Sequence, residues 1–326
     1  MHPIPTRIAV AARNAREMRS TRKALGDVKS KHNSISLNPH DKTFIVPKQK
    51  PKQKISEERL GKIEDPQDAF EYDLEVYHFL IEHENEKLPS PVIFLNQTNI
   101  KPRMRSIVID WLIGVHNHLE MHTDTLFSAI EIADLYLSKV DIHRSKLQLL
   151  YTTALFISAK NQEVTLPTID DFVYFTKNSF TSDDVIKMEM NILNEIDFFV
   201  NPIHSSIFMK RYLRLCDPSN EISMMAHYLN ETLLLDESFI GMCPSKRAAS
   251  VVCLSLTLER GNNQWNQYLV TNTGYKTTDL QPIVNKILTS VKKIKSSKLN
   301  TLEKKYAHSR LCSVSLKSLP ISLSVE

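Results

Sequence analysis

Glycine is almost missing from this chain: six residues in 326, at positions 26, 61, 114, 241, 261 and 274, where an average protein carries about 7%. No two lie closer than thirteen positions. A phosphate-cradling P-loop takes two glycines five apart and a dinucleotide-binding turn takes three within about six positions, so neither nucleotide loop is present. Glycine also supplies the left-handed turns of tight hairpins, and its scarcity argues against a β-rich fold. The four cysteines (Cys216, Cys243, Cys253, Cys312) form no CxxC pair, which argues against a disulfide framework or a zinc site. No run of 18 apolar residues could span a bilayer, and the first residues lack the apolar segment of a secretory signal. Of the twelve histidines, His116 and His118 lie on different helix faces, and no HExxH, GxSxG or supported carboxylate pair appears. The expectation is a soluble, intracellular, mostly helical protein of about two domains, with no catalytic residue, no metal, no cofactor and no membrane partner.

What is present is an asymmetry of charge. Residues 1–62 hold fifteen Lys/Arg and five Asp/Glu, a net +10, while the remaining residues hold 26 and 32, a net −6. The first part has no Trp and no Tyr; the first tyrosine is Tyr72. Few large apolar groups and high net charge cannot offset the entropy of ordering, so residues 1–62 read as a disordered basic arm on a folded acidic body. Charge alone leaves three uses open: nucleic-acid contact, a nuclear address, or a solvated tail.

From residue 68 onward helix follows helix. Apolar spacing predicts helices over 68–83, 103–119, 125–138 and 145–160. Two Ser/Thr-x-x-acid starts, Thr168 with Asp171 and Thr181 with Asp184, open helices over 169–175 and 185–196. Pro202 marks the entry to a second half, with helices over 203–215, 221–235, 244–260 and 277–294. Residues 292–305 read as the end of a helix leading into a Ser-rich tail. The long apolar segments 146–160 and 246–260 lie 100 residues apart and each opens on a cation, which favours two small helical domains in tandem over one bundle.

Stepping 100° per residue exposes charges on apolar faces. Glu189 falls in the middle of the stripe made by Val185, Met188, Ile192, Leu193 and Ile196. Arg105 sits in the wide apolar arc near Leu112, and Asp134 lies between Phe127 and Ile130. Buried charge costs several kcal/mol unless paired, of the order of 3–5 when a partner is missing, so Arg105 and Asp134 are assigned to each other as an internal ion pair. For Glu189 the one available partner is Lys160, at the end of the central helix. Two readings stay open: a local salt bridge, or a pair presented to another chain.

The stretch from Met104 to Leu112, MRSIVIDWL, resembles the MRAILVDWL signature that opens the cyclin box. The likeness runs on through Lys146-Leu-Gln-Leu149, Ser158-Ala-Lys160, Asp171-Phe-Val-Tyr174, Met188-Glu189, Pro202 and MKRYLRL from Met209. In the second half Leu233-Leu-Leu-Asp236, Pro244-Ser245, Cys253-Leu-Ser255 and Thr273-Gly-Tyr275 resemble the second box. The similarity covers about residues 65–310, and Asp65-Pro66 with Glu71-Tyr72 is similar to the B-type mitotic class.

That resemblance implies an all-α fold of two tandem five-helix cyclin boxes behind an N-terminal helix. The implied divisions are a regulatory arm over 1–62, a first box with its leading helix over 63–200, a second over 201–310 and a tail over 311–326. The family's Arg, Asp, Leu, Lys and Glu set falls on Arg105, Asp134, Leu149, Lys160 and Glu189. In cyclins the Arg–Asp pair is internal, whereas the Lys and Glu grip the C-helix of a cyclin-dependent kinase, and Phe198 matches an aromatic that packs there too. The docking groove for Arg-x-Leu substrates and inhibitors would be lined by Met104, Ile107, Val108, Trp111, Leu147 and Gln148. The acid often found on its rim is replaced by Gly114, and the aromatic-Glu-Glu after the lysine reads Asn161-Gln162-Glu163. In the arm, Arg22-Lys-Ala-Leu25-Gly-Asp-Val-Lys-Ser30 resembles the destruction box read by the ubiquitin ligase of mitotic exit, with Ser30 in place of asparagine. The implied protein is a nuclear and cytoplasmic regulatory subunit that activates a Ser/Thr kinase at the G2/M transition. The rival reading is a helical adaptor in transcription holding polymerase factors or DNA, but a body of charge −6 suits phosphate poorly, and nucleic acid is not an expected partner.

Overall fold

The structure, a computed structural model, describes residues 72–326 apart from positions 263, 321 and 326. The basic arm, with Arg22, Leu25 and Ser30, lies outside the described residues. Among the described residues there are twelve α-helices and no strand.

A leading helix, α1 (Asp73–His83), precedes a first group of five: α2 (Pro102–His118), α3 (Thr123–Lys139), α4 (Leu147–Gln162), α5 (Ile169–Phe175) and α6 (Ser182–Glu195). α2 takes Pro102 at its first turn, where a missing N–H costs nothing. The two expected capping boxes are formed: Thr168 and Asp171 open α5, and Thr181 and Asp184 open α6. α4 is buried at every position from Leu149 to Ala159 and packs against α2, α3 and α6. It has no polar face to spend on solvent, which is why its sequence reads as continuous apolar and small residues.

The second group repeats the plan with α7 (Ser205–Leu215), α8 (Asn220–Leu233), α9 (Pro244–Arg260), α10 (Gln267–Thr273) and α11 (Thr277–Lys295). Here α9 is the buried centre, packed on α7, α8 and α11. The two long apolar segments of the sequence are thus the two central helices.

Three sequence expectations are corrected. α10 was not foreseen: it is short and polar, opened by the Asn266 side chain accepting from Leu269 N–H at 3.0 Å and closed by Gly274 in the left-handed region at φ 77°. The helix expected over 221–235 stops at Leu233, because the carbonyls of Leu234 and Leu235 accept from Arg105 and Ser106 of α2 at 2.9 and 2.7 Å. The basic stretch 292–305 is not one helix end. α11 stops at Lys295 and a further helix, α12 (Thr301–Tyr306), starts where Asp110 of α2 accepts from the Thr301 N–H and hydroxyl at 3.1 and 2.8 Å. Beyond it the tail packs back on the second group: Val314 and Val325 are buried, and Lys317 pairs with Glu259 at 2.5 Å and also with Glu221.

The two groups are joined by buried polar contacts. Besides the Arg105 and Ser106 bonds, Arg247 of α9 meets Glu131 of α3 at 3.2 Å, and Asp124 of α3 accepts from Ser206 and Lys210 of α7 at 2.8 and 2.6 Å. Gly241 belongs to this junction. A Cβ there would lie 2.7 Å from the Pro89 carbonyl oxygen, on a backbone already at φ 69°, so only glycine fits.

Candidate functional site

α2 and α3 place Arg105 and Asp134 face to face in the interior. The guanidinium donates through Nε and Nη2 to the two carboxylate oxygens at 2.8 and 2.5 Å, a bidentate pair. The Tyr151 hydroxyl of α4 donates to the same carboxylate at 2.6 Å. Burial works against the charge on Arg105, but Asp134 outweighs it, and the arginine stays protonated with its pKa raised. Burial, and then the Asp134 charge, push the Tyr151 phenol well above its ordinary value, so it is a permanent donor. With Arg105 Nη1 donating to the Leu234 carbonyl at 2.9 Å, the pair is a tie between α2, α3, α4 and the second group. It faces no solvent.

Lys160 and Glu189 also come together, but at the surface. Lys160 lies in the last turn of α4 and α6 carries Glu189 across from it; the ammonium and carboxylate form an ion pair, with the lysine side chain 37% exposed. The Lys160 Nζ stands 4.5 Å from the centre of the Phe156 ring, a cation–π contact that fixes its direction. Phe198 follows the end of α6. Its N–H donates to the Leu193 carbonyl at 2.8 Å, and Leu193 lies one turn beyond Glu189. Asp197 and Phe198 both sit in the left-handed region, at φ 53° and 57°, and the ring of Phe198 is 66% exposed. A large aromatic in that conformation is strained by about 1–2 kcal/mol. Lys139 of α3 donates to the Glu195 carbonyl at 2.6 Å and so closes the C-terminus of α6 just before this turn.

The third set lies on α2. Ile107 is half exposed, Met104, Val108 and Trp111 are half-buried, and Gln148 of α4 is half-buried beside them. The indole N–H of Trp111 has no partner among the described residues. Leu147 differs from the expectation of a lining residue: it is 3% exposed, because it opens α4 with its side chain turned into the core, so it can only floor the trough. Gly114 lies on the side of α2 that faces α12. A Cβ there would stand 3.8 Å from Thr301 of α12, an ordinary contact, so no side chain is excluded by space.

Among the described residues no group of three His, Cys, Asp or Glu side chains is arranged to hold a metal ion, and no helix is long and apolar enough to cross a membrane. Comparison with known proteins fits the geometry. The family model of the cyclin N-terminal domain matches residues 75–201 and that of the C-terminal domain residues 203–320. A G2/mitotic-specific cyclin-B of Marthasterias glacialis is 33% identical over 263 residues, which is 80% of this chain and 67% of that protein. The chain belongs to the cyclin family. G2/mitotic-specific cyclin-B2 of Rana japonica is likewise 33% identical, over 80% of this chain and 66% of its own length. This cyclin therefore spans about two thirds of the length of these relatives. Among solved structures, a viral cyclin from herpesvirus saimiri matches 66% of the chain and 97% of its own, with a TM-score of 0.59 at 16% identity, a likeness of fold. Cyclins are regulatory subunits and not themselves enzymes.

Two residues of this cyclin escaped the reading of its sequence. Ile186 and Met190 of α6 flank Glu189 and are 47% and 60% exposed. Their positions, 100° and 140° around the helix from Val185, fall off the buried stripe. Apolar side chains on an otherwise polar face were the signal that could have found them.

Proposed function

We propose that this cyclin binds a cyclin-dependent Ser/Thr protein kinase as a heterodimer and activates it at the G2/M transition. The observation that carries the reading is the Lys160–Glu189 pair on an apolar surface: Ile186 and Met190 beside it, Phe198 held out on a strained turn. A cation and an anion at fixed spacing can hydrogen-bond the polar end of a partner helix, while the apolar groups remove area from water at about 25 cal/mol per Å2. Activation is then a population shift. A surface that fits only the kinase with its C-helix inward and its activation segment ordered stabilises that state by its differential affinity, and the kinase's own Lys–Glu pair is set for phosphoryl transfer.

The trough on α2 is read as the dock for Arg-x-Leu segments of substrates and inhibitors, with the apolar anchor on Ile107, Trp111 and Val108. The arm's Arg22–Ser30 motif is read as the mark for a ubiquitin ligase at mitotic exit, with residence in both nucleus and cytoplasm. The deciding experiment is the double variant Lys160→Ala/Glu189→Ala, assayed for capture and activation of a cyclin-dependent kinase. A half-exposed pair contributes under about 1 kcal/mol to folding, so the variant stays folded while affinity drops at least about tenfold, the loss of two charge-assisted bonds. Undiminished binding and activation would overturn the assignment.

A further inference from the structure

Ile107 and Trp111 border two depressions. On one side is the α2/α4 trough. On the other, between α2 and the segment joining α11 to α12, is a crevice of about 900 Å3. The helix geometry makes the sharing unavoidable: on α2 Ile107 and Trp111 lie angularly between Met104 and Val108 on the trough side and Arg103 and Asp110 on the crevice side. The far wall is polar backbone and side chain from Ser296 to Leu299, with Glu237 and Lys293 at one end.

The charge around this crevice is lopsided. Both carboxylates are engaged: Asp110 accepts twice from Thr301 at the start of α12, and Glu237 is 3.3 Å from Lys293. Lys293 is shared further with Asp236 at 3.4 Å. Lys101, Arg103 and Lys298 are exposed and have no ion-pair partner among the described residues. Three cations unpaired among the described residues thus rim a cleft that shares Ile107 and Trp111 with the trough. On the α12 side of α2, Gly114 offers a peptide's arginine no carboxylate.

We propose that the crevice takes an acidic stretch of the same peptide whose apolar anchor occupies the trough. The preferred docking segments of this cyclin then carry Asp/Glu to one side of the hydrophobic anchor, held by Arg103, Lys101 and Lys298. The inference rests on the docking role read for the trough. Carboxylate and phosphate share the recognising chemistry; guanidinium and ammonium groups bind either.

The test is fluorescence anisotropy with full-length protein and peptides sharing one Arg-x-Leu anchor. Their flanks are neutral, Asp/Glu-bearing or phosphoserine-bearing, placed before or after the anchor. At low salt an anionic flank on one side binds about five- to tenfold more tightly than the neutral one, as expected from two or three exposed ion pairs. The gain disappears at 0.5 M salt, and in Arg103→Glu/Lys298→Glu the anionic peptide no longer binds more tightly than the neutral one. A gain confined to the phosphoserine flank, with Asp/Glu binding no better than neutral, overturns the carboxylate assignment. Equal binding of neutral and anionic peptides, or a gain that survives charge reversal, overturns the crevice assignment while the trough reading stands. If the neutral peptide binds no better to wild type than to Trp111→Ala, the trough reading falls; if anionic peptides fail as well, both do.

Discussion

Phe198 is held in a conformation its own chemistry disfavours, and its ring lies mostly in water. Folding alone gives no return on either feature, which is consistent with the partner contact proposed for it. Phe198→Gly removes the left-handed penalty of about 1–2 kcal/mol and adds about 0.5–1 kcal/mol of unfolded-state entropy. Stability in urea is therefore unchanged or higher by up to about 1 kcal/mol, while kinase affinity falls at least about tenfold with the lost aromatic contact. A variant that is less stable than wild type would show the ring has a structural task instead. At this scale the sequence was informative wherever a charge interrupted an apolar stripe. Arg105, Asp134 and Glu189 stood out for that reason, and the interior pairing of the first two followed from the cost of burying either alone. The backbone of Phe198 could not be read, since neither it nor Phe199 is a glycine or Asn that would announce a left-handed turn. Leu147 was misplaced because a residue at a helix start can face a groove or a core, and local pattern does not distinguish them.

At the scale of elements, α1 is held onto the second box by a charge. Tyr77 packs edge-on to Phe208 and Tyr212, its hydroxyl sharing a hydrogen bond with that of Tyr212 at 3.1 Å, and Asp73 meets Arg211 at 3.0 Å. Just past the helix end Glu84 is buried, with no ion-pair partner among the described residues. Its carboxylate instead accepts from the Ser245 N–H and hydroxyl at 2.8 and 2.7 Å and from the Cys243 thiol at 3.0 Å. Those groups form the start of the 17-residue helix α9, whose unsatisfied N–H groups and dipole favour an anion. Glu84→Gln keeps the shape and removes the charge. It costs about 1–2 kcal/mol in urea unfolding and raises hydrogen exchange along α1 ahead of α9. Equal stability and equal protection of α1 would mean that apolar packing alone docks the helix. Both ends of this contact were outside what the sequence discloses. Helices with their own capping boxes, α5 and α6, were legible to within a few residues; α12 was not, because the Asp110 that opens it lies 191 positions away.

For the molecule as a whole, the junction of the two boxes sets a dependence on pH. His204 opens α7 with 1% exposure, stacks on Phe127 of α3 at 5.5 Å between centroids, and leaves Nδ1 without a partner. Burial pushes its pKa down to about 4, against the pull of Asp124. His116 in α2 and His227 in α8 are lowered as well, in both cases first by burial. An unfolded histidine titrates near 6.5, so below that pH the unfolded chain binds protons that the folded chain refuses. Stability is full above about pH 6.5 and falls as the pH drops toward 4. His204 accounts for up to about 1.4 kcal/mol per pH unit and about 3 kcal/mol over the window. Glu131 at the same junction has the opposite sign: burial raises its pKa despite Arg247, so its protonation at low pH offsets part of the loss, though only near the carboxylate range. Between pH 6.5 and 5 the histidines act almost alone. Urea unfolding at pH 7.5, 6.5, 5.5 and 5.0 should show a steepening loss, and His204→Gln, which cannot titrate, should reduce the slope by close to one proton. An unaltered slope in that variant would place the pH dependence in His116 and His227 and leave the junction around His204 indifferent to acid.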